Sequence, residues 1–402
     1  MDNQCMARFL SAVPNGDLRE VVRHFTPNWF AANMGTGILA LMLADFPYHF
    51  SGQLVVARGL WSINVFFFGL FMVLFLGRAI FYPAAFRRLF EHPVQSLFIG
   101  AIPMGFATIV NGIFLLWPLT PETTLVAHYL WWVDVVLSLF SVLAVPYYMF
   151  TTQHHAMDRM TAAWLLPVVP PEVAAASGGM LAGHLSTGAA GWVIYTSYVL
   201  WAISVPLAFA ILTILFLRLT LHKMPHIDMA VSAWLPLGPL GTGSLAMLVL
   251  GPSDRYAFAN SSMAAVGALG EPVGIITGLV LWGFGLWWMA IAIFFTLRYL
   301  NEGLPFNMGW WGFTFPLGVF TASTYALARE TRFVVFDHIG AAFTILLAFF
   351  WVVVTWRTFG GMWVGRLFRD PSLSEETAML IDSKEDVQRL ITKEDVIKDL
   401  RS

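Results

Sequence analysis

Apolar residues fall into long runs separated by short polar segments along most of the chain. A helix needs about 20 mostly apolar residues to cross the hydrocarbon core of a bilayer. Ten runs of roughly that size predict an all-α membrane protein with ten transmembrane helices. The runs cover 26–44, 54–80, 96–118, 124–150, 163–185, 190–219, 229–251, 270–300, 308–328 and 334–357.

Odd-numbered and even-numbered runs differ in the residues that they contain. The odd runs are rich in glycine, proline and hydroxyl residues, and a Pro-(Met or Leu)-Gly triplet recurs at Pro103, Pro239 and Pro316. The even runs are richer in bulky residues. Because small residues let helices pack closely, the alternation predicts five helical hairpins with the odd helices inside and the even helices outside.

The stretch 306–330 is the strongest candidate for lining a conduit. It is long enough to cross a bilayer, yet it holds Pro316 in mid-span, three glycines and four Ser or Thr hydroxyls. Proline leaves one helix carbonyl without its hydrogen bond, and such irregular backbone is tolerated at membrane depth only beside protein or a water-filled cavity. We interpret this stretch as a pore-lining helix that is interrupted at Pro316.

Composition agrees with a membrane protein, and the charges give it an orientation. The 402 residues are 58% hydrophobic and only 11% charged. If the N-terminus is cytoplasmic, 18 of the 22 Lys and Arg residues fall on the cytoplasmic side and four on the other. Because basic segments tend to stay in the cytoplasm, both termini are predicted there.

This orientation divides the chain into three parts. Residues 1–25 form a cytoplasmic N-terminal segment, 26–365 form the ten-helix transport domain, and 366–402 form a cytoplasmic charged tail. A solvated tail and a short amphipathic helix both remain open for the last part.

The chain has no motif of an enzyme or of a metal site. It lacks a phosphate-binding loop, a dinucleotide-binding glycine motif and a nucleophile elbow, and its single Cys5 can form neither an intrachain disulfide nor a thiolate cluster. His154 and His155 are adjacent, not at the i, i+4 spacing that puts two ligands on one helix face. We therefore predict no catalytic residue, no cofactor and no metal, and the partners expected are the lipid bilayer and a small anion, not a nucleic acid.

Neutral polar residues on the odd runs are candidates for an anion pathway. Hydroxyls, an amide and free backbone N–H groups can partly replace the water around a small anion without holding it as tightly as a buried Lys or Arg would. In the alternative interpretation, the hydroxyls bond to carbonyls of their own helix and the glycines only permit close packing. The candidates are Gly35, Thr36, Thr108, Asn111, Ser177, Thr242, Ser244 and Thr321.

Two acidic residues fall inside predicted spans. Asp134 lies in the fourth run and Glu172 follows a double proline in the fifth. An intramembrane acid is a functional candidate by default, here as a proton carrier, because burying it ionised is costly. Structural pairing is the favoured alternative for Asp134, whereas an ionised Glu172 would repel an anion in transit.

Four motifs resemble one known family over nearly the whole membrane region. They are PMGFATIVN at 103–111, YLWWVD at 129–134, LPLGPLGTGS at 235–244 and GWWGFTFPLG at 309–318. The sequence resembles the tellurite-resistance and dicarboxylate transporter family, which includes plant slow anion channels, fungal malate permeases and fungal sulfite efflux pumps. The third and fourth motifs look most similar to the sulfite pumps.

The resemblance implies an architecture and a gate. Ten helices would form five hairpins around a quasi-five-fold central pore, and three such subunits would form a homotrimer. A phenylalanine of the ninth helix plugs the pore in the family's anion channels, and the motif aromatic-Thr-Phe-Pro places it here on Phe315. The chain has Gly312 where plant channels tend to have a larger residue, so the plug would be supported differently.

The function that this resemblance implies is export of sulfite or bisulfite across the plasma membrane. A C4-dicarboxylate (malate) permease and a gated anion channel are alternatives, and a membrane receptor without transport is a distant one. A dicarboxylate carrier is expected to place a cation in its pathway for the second carboxylate. The odd runs lack a well-placed Arg or Lys, which favours a small inorganic anion.

Overall fold

The chain is a multi-pass helical membrane protein. The computed structural model describes residues 18–258 and 262–363, together with Leu367, Asp370 and Leu373, and these form helices and turns with no strand among them. The α-helices are α1 (Leu18–Arg23), α2 (Phe30–Ala44), α3 (Gln53–Phe81), α4 (Pro83–Glu91), α5 (Ala101–Leu116), α6 (Pro121–Thr151), α7 (Pro170–Ala182), α8 (Thr187–His222), α9 (Leu237–Phe258), α10 (Ala264–Glu302), α11 (Phe315–Thr331) and α12 (Val334–Trp363).

Two classes of helix alternate along the chain. The inner helices α2, α5, α7, α9 and α11 have 13 to 22 residues and are buried on nearly all sides. The outer helices α3, α6, α8, α10 and α12 have 29 to 39 residues. In each of them no more than 33% of the most apolar 18-residue stretch is buried. Their exposed surfaces carry large apolar side chains such as Phe66, Trp192 and Trp356, as expected of contact with lipid. The alternation of small and bulky residues therefore predicted which helices lie inside.

A 3-10 segment precedes each inner helix. The five segments are Pro27–Trp29, Gln95–Gly100, Ala162–Leu165, Ile227–Trp234 and Met308–Phe313. Each predicted odd run is thus a 3-10 segment followed by a shorter α-helix.

The recurring proline triplet marks the start of an inner helix. Pro103, Pro239 and Pro316 all lie within the first three residues of their helices. The prediction of a helix interrupted at Pro316 was therefore wrong. Proline fits the first turn because the N–H that it lacks would have no partner within the helix there.

Seven helical stretches of the described chain are long and apolar enough to cross a membrane by length and composition. All five outer helices are among them, as are α5 and α9 with their 3-10 segments. The inner helices α2, α7 and α11 have only 15, 13 and 17 residues. Their runs in the sequence were long enough because the preceding 3-10 segments are also apolar.

Contacts between inner helices run around a closed circle. Each inner helix packs against the next in chain order, α11 packs against α2, and each also packs against the outer helix that follows it. Glycines permit this close approach: a Cβ on Gly241 of α9 would lie 2.7 Å from the backbone nitrogen of Phe320 on α11, and one on Gly318 would lie 2.4 Å from Ile38 Cγ1.

The two ends of the described chain meet at the same end of the molecule. Arg78, at the C-terminal end of α3, is fully buried and donates to the carbonyl oxygen of Phe25 at 2.7 Å and to Asp370 Oδ2 at 2.5 Å. The backbone N–H of Asp370 donates to His24 Nδ1 at 3.2 Å. A buried guanidinium needs such a partner, so the pair fixes Asp370 beside His24 and Phe25. The part of the tail for which a solvated segment and an amphipathic helix were both left open lies outside the described residues.

Candidate functional site

A wide cavity of about 300 Å³ opens where the inner helices begin. All five 3-10 segments contribute to its wall, and Leu367 lines it as well. Asp228 is the only charged residue among the described residues of the wall. The other polar residues of the wall are Asn28, Gln95, Ser232 and Asn307.

A narrow cavity of about 40 Å³ lies between the inner helices. All five inner helices line it, with Thr108, Asn111 and Thr242 as its neutral polar residues and Asp45 and Arg329 as its charged ones. A few water molecules or one compact anion fit such a volume.

Phe315 lines both cavities, and its residue surface is only 3% exposed. It is the first residue of α11, directly after the 3-10 segment that forms part of the wide cavity. Gly309 and Gly312 line the wide cavity beside it, whereas Gly318 packs against α2. The aromatic ring thus lies where the two cavities meet.

Three of the predicted pathway residues face the narrow cavity. Thr108 donates to the carbonyl oxygen of Gly105 at 2.7 Å and accepts from Asn64 Nδ2 at 3.0 Å. Asn111 is 8% exposed, and its Oδ1 has no hydrogen-bond partner among the described residues. Thr242, the third, also contacts a buried acid.

Three other predicted pathway residues line neither cavity and satisfy helix carbonyls. The hydroxyls of Ser177 and Thr321 donate to carbonyls four residues earlier in their own helices, at 3.1 and 2.7 Å. The hydroxyl of Ser244 donates across to the carbonyl of Gly278 on α10 at 2.9 Å. Ser177 and Thr321 therefore follow the alternative interpretation, in which a hydroxyl bonds to a carbonyl of its own helix, whereas Ser244 joins α9 to α10.

Gly35 and Thr36 also line neither cavity. A Cβ on Gly35 would lie 2.3 Å from Thr314 Oγ1, so this glycine lets α2 approach the segment before α11. The Thr36 hydroxyl accepts from Trp351 Nε1 at 3.0 Å and therefore faces the outer helix α12.

Glu172 is fully buried in the first turn of α7. Its Oε1 lies 2.8 Å from Thr242 Oγ1, which also lies 2.7 Å from the carbonyl oxygen of Gly238. Its Oε2 has no hydrogen-bond partner in the described chain. Through Thr242, this carboxyl is one contact away from the narrow cavity.

Asp134 is 1% exposed on α6 and lines neither cavity. Neither carboxyl oxygen has a hydrogen-bond partner within the described residues, so the structural pairing favoured from the sequence is not found there. The expected partner was inferred only from the cost of burial, which does not identify a residue.

Sequence reasoning missed two features of this site. Asn33 Nδ2 donates to Asn64 Oδ1 at 3.0 Å, and Asn64 in turn holds Thr108, so an amide network joins α2, α3 and α5. Arg329 and Asp45 form an ion pair at the narrow cavity, with Nη1 and Oδ2 3.3 Å apart. Asp45 and Arg329 each lie one residue beyond the end of an odd run, so the prediction of a pathway without a well-placed Arg or Lys missed Arg329.

Comparisons with known proteins identify the family to which the chain is similar. A family model described as voltage-dependent anion channel matches residues 24–359. The chain is 41% identical to a sulfite efflux pump from Arthroderma otae over 338 residues, which is 83% of this chain and 89% of that one. It is 31% identical to an uncharacterized transporter from Methanocaldococcus jannaschii, covering 88% of this chain and 99% of the relative. Identity to a malic acid transport protein from Schizosaccharomyces pombe is 23%, covering 85% and 79%.

Proposed function

The chain belongs to the voltage-dependent anion channel family, and on that premise we propose that it is a plasma-membrane exporter of sulfite or bisulfite that confers sulfite tolerance. The observation that supports sulfite as the transported anion is the 41% identity to a sulfite efflux pump over most of both chains. The lining of the narrow cavity supports it, because a neutral amide such as that of Asn111 solvates a compact oxyanion without trapping it, and the charged residues of the lining, Asp45 and Arg329, are paired with each other.

We propose that ten helices form five hairpins around a quasi-five-fold pore. The closed circle of contacts among the inner helices supports this arrangement, as does the packing of each inner helix on the outer helix after it. Three subunits would associate through their outer helices, whose exposed faces are apolar. A stable monomer in a mass measurement in detergent would contradict the trimer.

In this proposal Phe315 is the gate. The wide cavity collects the anion from the cytoplasm, and the ring of Phe315 separates it from the narrow cavity. Beyond the ring, Asn111 offers the anion a neutral amide donor, and Thr108 and Thr242 line the cavity beside it. An aromatic ring at the narrowest point makes an anion shed water without replacing it, which raises the barrier to passage. Movement of the ring would open the path.

Glu172 is our candidate for coupling transport to protons. The hydroxyl of Thr242 has one proton and cannot donate to both Glu172 and Gly238. Both contacts are satisfied when the carboxyl of Glu172 carries a proton and donates it to Thr242, which then donates to Gly238. Asp134 remains a second candidate, although it lines neither cavity.

The test is anion flux into liposomes that contain the purified protein. Sulfite, malate, nitrate and chloride are offered in parallel, with and without a pH gradient, and we expect sulfite flux well above malate flux. Malate flux equal to sulfite flux would favour the dicarboxylate permease instead. Glu172→Gln keeps the size of the side chain but cannot exchange a proton, so it should abolish any dependence on the pH gradient. Loss of that dependence in Asp134→Asn, with Glu172→Gln unchanged, would assign the coupling to Asp134 instead.

A further inference from the structure

The narrow cavity ends at an ion pair that joins two inner helices. Asp45 directly follows the last residue of α2, and Arg329 lies in the last turn of α11. Their charged groups are 3.3 Å apart, and the side chains are 21% and 53% exposed, so water and ions reach the pair. Because α2 and α11 pack against each other, the pair lies across a seam in the circle of inner helices.

Arg329 carries the only positive charge among the described residues that line the two cavities. Guanidinium groups present several N–H donors in a fixed plane and bind oxyanions through more than one of them. The side chain is close to the surface, so an anion bound there keeps part of its water and can leave.

A second donor faces the same cavity. Asn111 is only 8% exposed, and its amide oxygen has no hydrogen-bond partner in the described chain. The oxygen and nitrogen of a side-chain amide exchange places on a half turn, so this group can present N–H to an anion. The cavity therefore offers an anion one charged donor and one neutral donor.

We propose that Arg329 and Asn111 form an anion-binding station beyond Phe315, and that Asp45 is the built-in counter-ion which an arriving oxyanion displaces. The inference rests on the proposed function for its ligand class, a compact oxyanion. Asp45 lowers the affinity of the station, because each anion must replace an existing charge pair. This weakening lets the anion bind as it passes the ring and leave again without being trapped.

A purely structural role of the Arg329–Asp45 pair predicts different effects of substitution from a role in anion binding. If Arg329 and Asp45 only hold α2 against α11, then removing either partner breaks the same contact and the two variants behave alike. If they form the station, Arg329→Gln removes the ligand for the anion, whereas Asp45→Asn removes its competitor. The two changes then shift anion affinity in opposite directions.

The experiment measures sulfite dependence in two ways on the purified full-length chain. Flux into liposomes gives the half-saturating sulfite concentration at the face where the narrow cavity opens, and unfolding in detergent gives the rise in melting temperature with sulfite. Arg329→Gln should raise the half-saturating concentration about fivefold, as expected for losing a close charge pair in water, and Asp45→Asn should lower it. Arg329→Lys should fall between Arg329→Gln and the unchanged chain.

Arg255→Gln is the matched control, because Arg255 pairs with Glu271 at 3.7 Å near the surface and lines neither cavity. Equal effects of Arg329→Gln and Arg255→Gln, or shifts in the same direction for Arg329→Gln and Asp45→Asn, would overturn the station. If the unchanged chain carries no sulfite, the proposed function fails, and the melting series is repeated with nitrate, chloride and malate. If the station exists, at least one of these anions raises the melting temperature, and Arg329→Gln reduces that rise. If none of the anions behaves in this way, the station is refuted.

Discussion

Helix phase separates the side chains that reach the narrow cavity from those that do not. On α11 the cavity is lined by Phe315, Val319, Ala322 and Arg329, whose successive spacings of four, three and seven residues put them on one face. Thr321 precedes Ala322 by one residue, which places its side chain about 100° around the helix axis from that face. Its hydroxyl donates to the carbonyl of Leu317 instead. The same offset separates Ser177 from Ala176 on α7.

This phase could not be obtained from the sequence. A helix with one polar face reveals which side meets water, but the inner helices are surrounded by protein and mix small, apolar and hydroxyl residues on every side. The sequence therefore identified Thr108, Asn111 and Thr242 together with five residues that line neither cavity. The role of Phe315 as a plug was predicted from the family motif, because a phenylalanine in an apolar run fits a core residue equally well.

Replacing the ring of Phe315 separates a gate from a packing role. Phe315→Ala should join the two cavities and raise sulfite flux about tenfold, equivalent to lowering the barrier by about 1.4 kcal/mol. Liposome flux at equal protein content measures the effect. The gain should be largest for the anions that the unchanged chain carries least.

Phe313→Ala is the matched control for this prediction. Phe313 is also buried, but it stacks on Phe350 with ring centres 4.8 Å apart and lines neither cavity. Its removal should cost about 3–5 kcal/mol of stability and give no gain in flux. A Phe315→Ala protein that folds normally and shows unchanged flux would remove Phe315 from the gate.

The inner helices are elements of unusual construction, because each is a 3-10 segment followed by a shorter α-helix. Apolar runs of about 20 residues predicted their existence, but a run of apolar residues does not say where the hydrogen-bonding pattern changes. The Pro-(Met or Leu)-Gly triplet marks this change at Pro103, Pro239 and Pro316. The sequence predicted a break within a helix at Pro316, whereas this proline lies at the start of the α-helical part.

Gly241 tests whether close approach of inner helices holds the circle together. A Cβ at this position would lie 2.7 Å from the nitrogen, 2.8 Å from the Cα of Phe320 and 3.0 Å from the carbonyl carbon of Val319. Backbone atoms cannot move aside cheaply, so Gly241→Ala should separate α9 from α11 and cost about 1–3 kcal/mol. The melting temperature in detergent and the sulfite flux should both fall.

Gly238→Ala, one turn earlier on α9, is the control for that change. A Cβ there meets nothing within 4 Å, so the substitution should be neutral or stabilise the helix by up to about 1 kcal/mol. Equal melting temperatures for the two variants would mean that α9 and α11 tolerate a wider separation than their contacts indicate.

At the scale of the whole molecule, the sequence predicted the features that depend on residue composition, above all which helices lie inside and which face lipid. Small inner helices alternate with bulky outer helices because lipid accepts apolar bulk, whereas close packing needs glycine. The closure of the circle, the two cavities and the contact of Arg78 with Asp370 depend on pairings between residues far apart in the chain. No local pattern contains these pairings.

The orientation in the membrane is the last prediction. His24 and Asp370 meet at one end of the molecule, and 18 of 22 basic residues belong on that side if the ten spans are correct. Basic segments resist translocation, so this end should face the cytoplasm. In a Cys5→Ser background, Met157→Cys and Gly188→Cys place one thiol on each side, at positions that are exposed. A membrane-impermeant maleimide should label Gly188→Cys on intact cells and Met157→Cys only after permeabilisation; labelling of Met157→Cys on intact cells would reverse the orientation and, with it, the side from which the wide cavity fills.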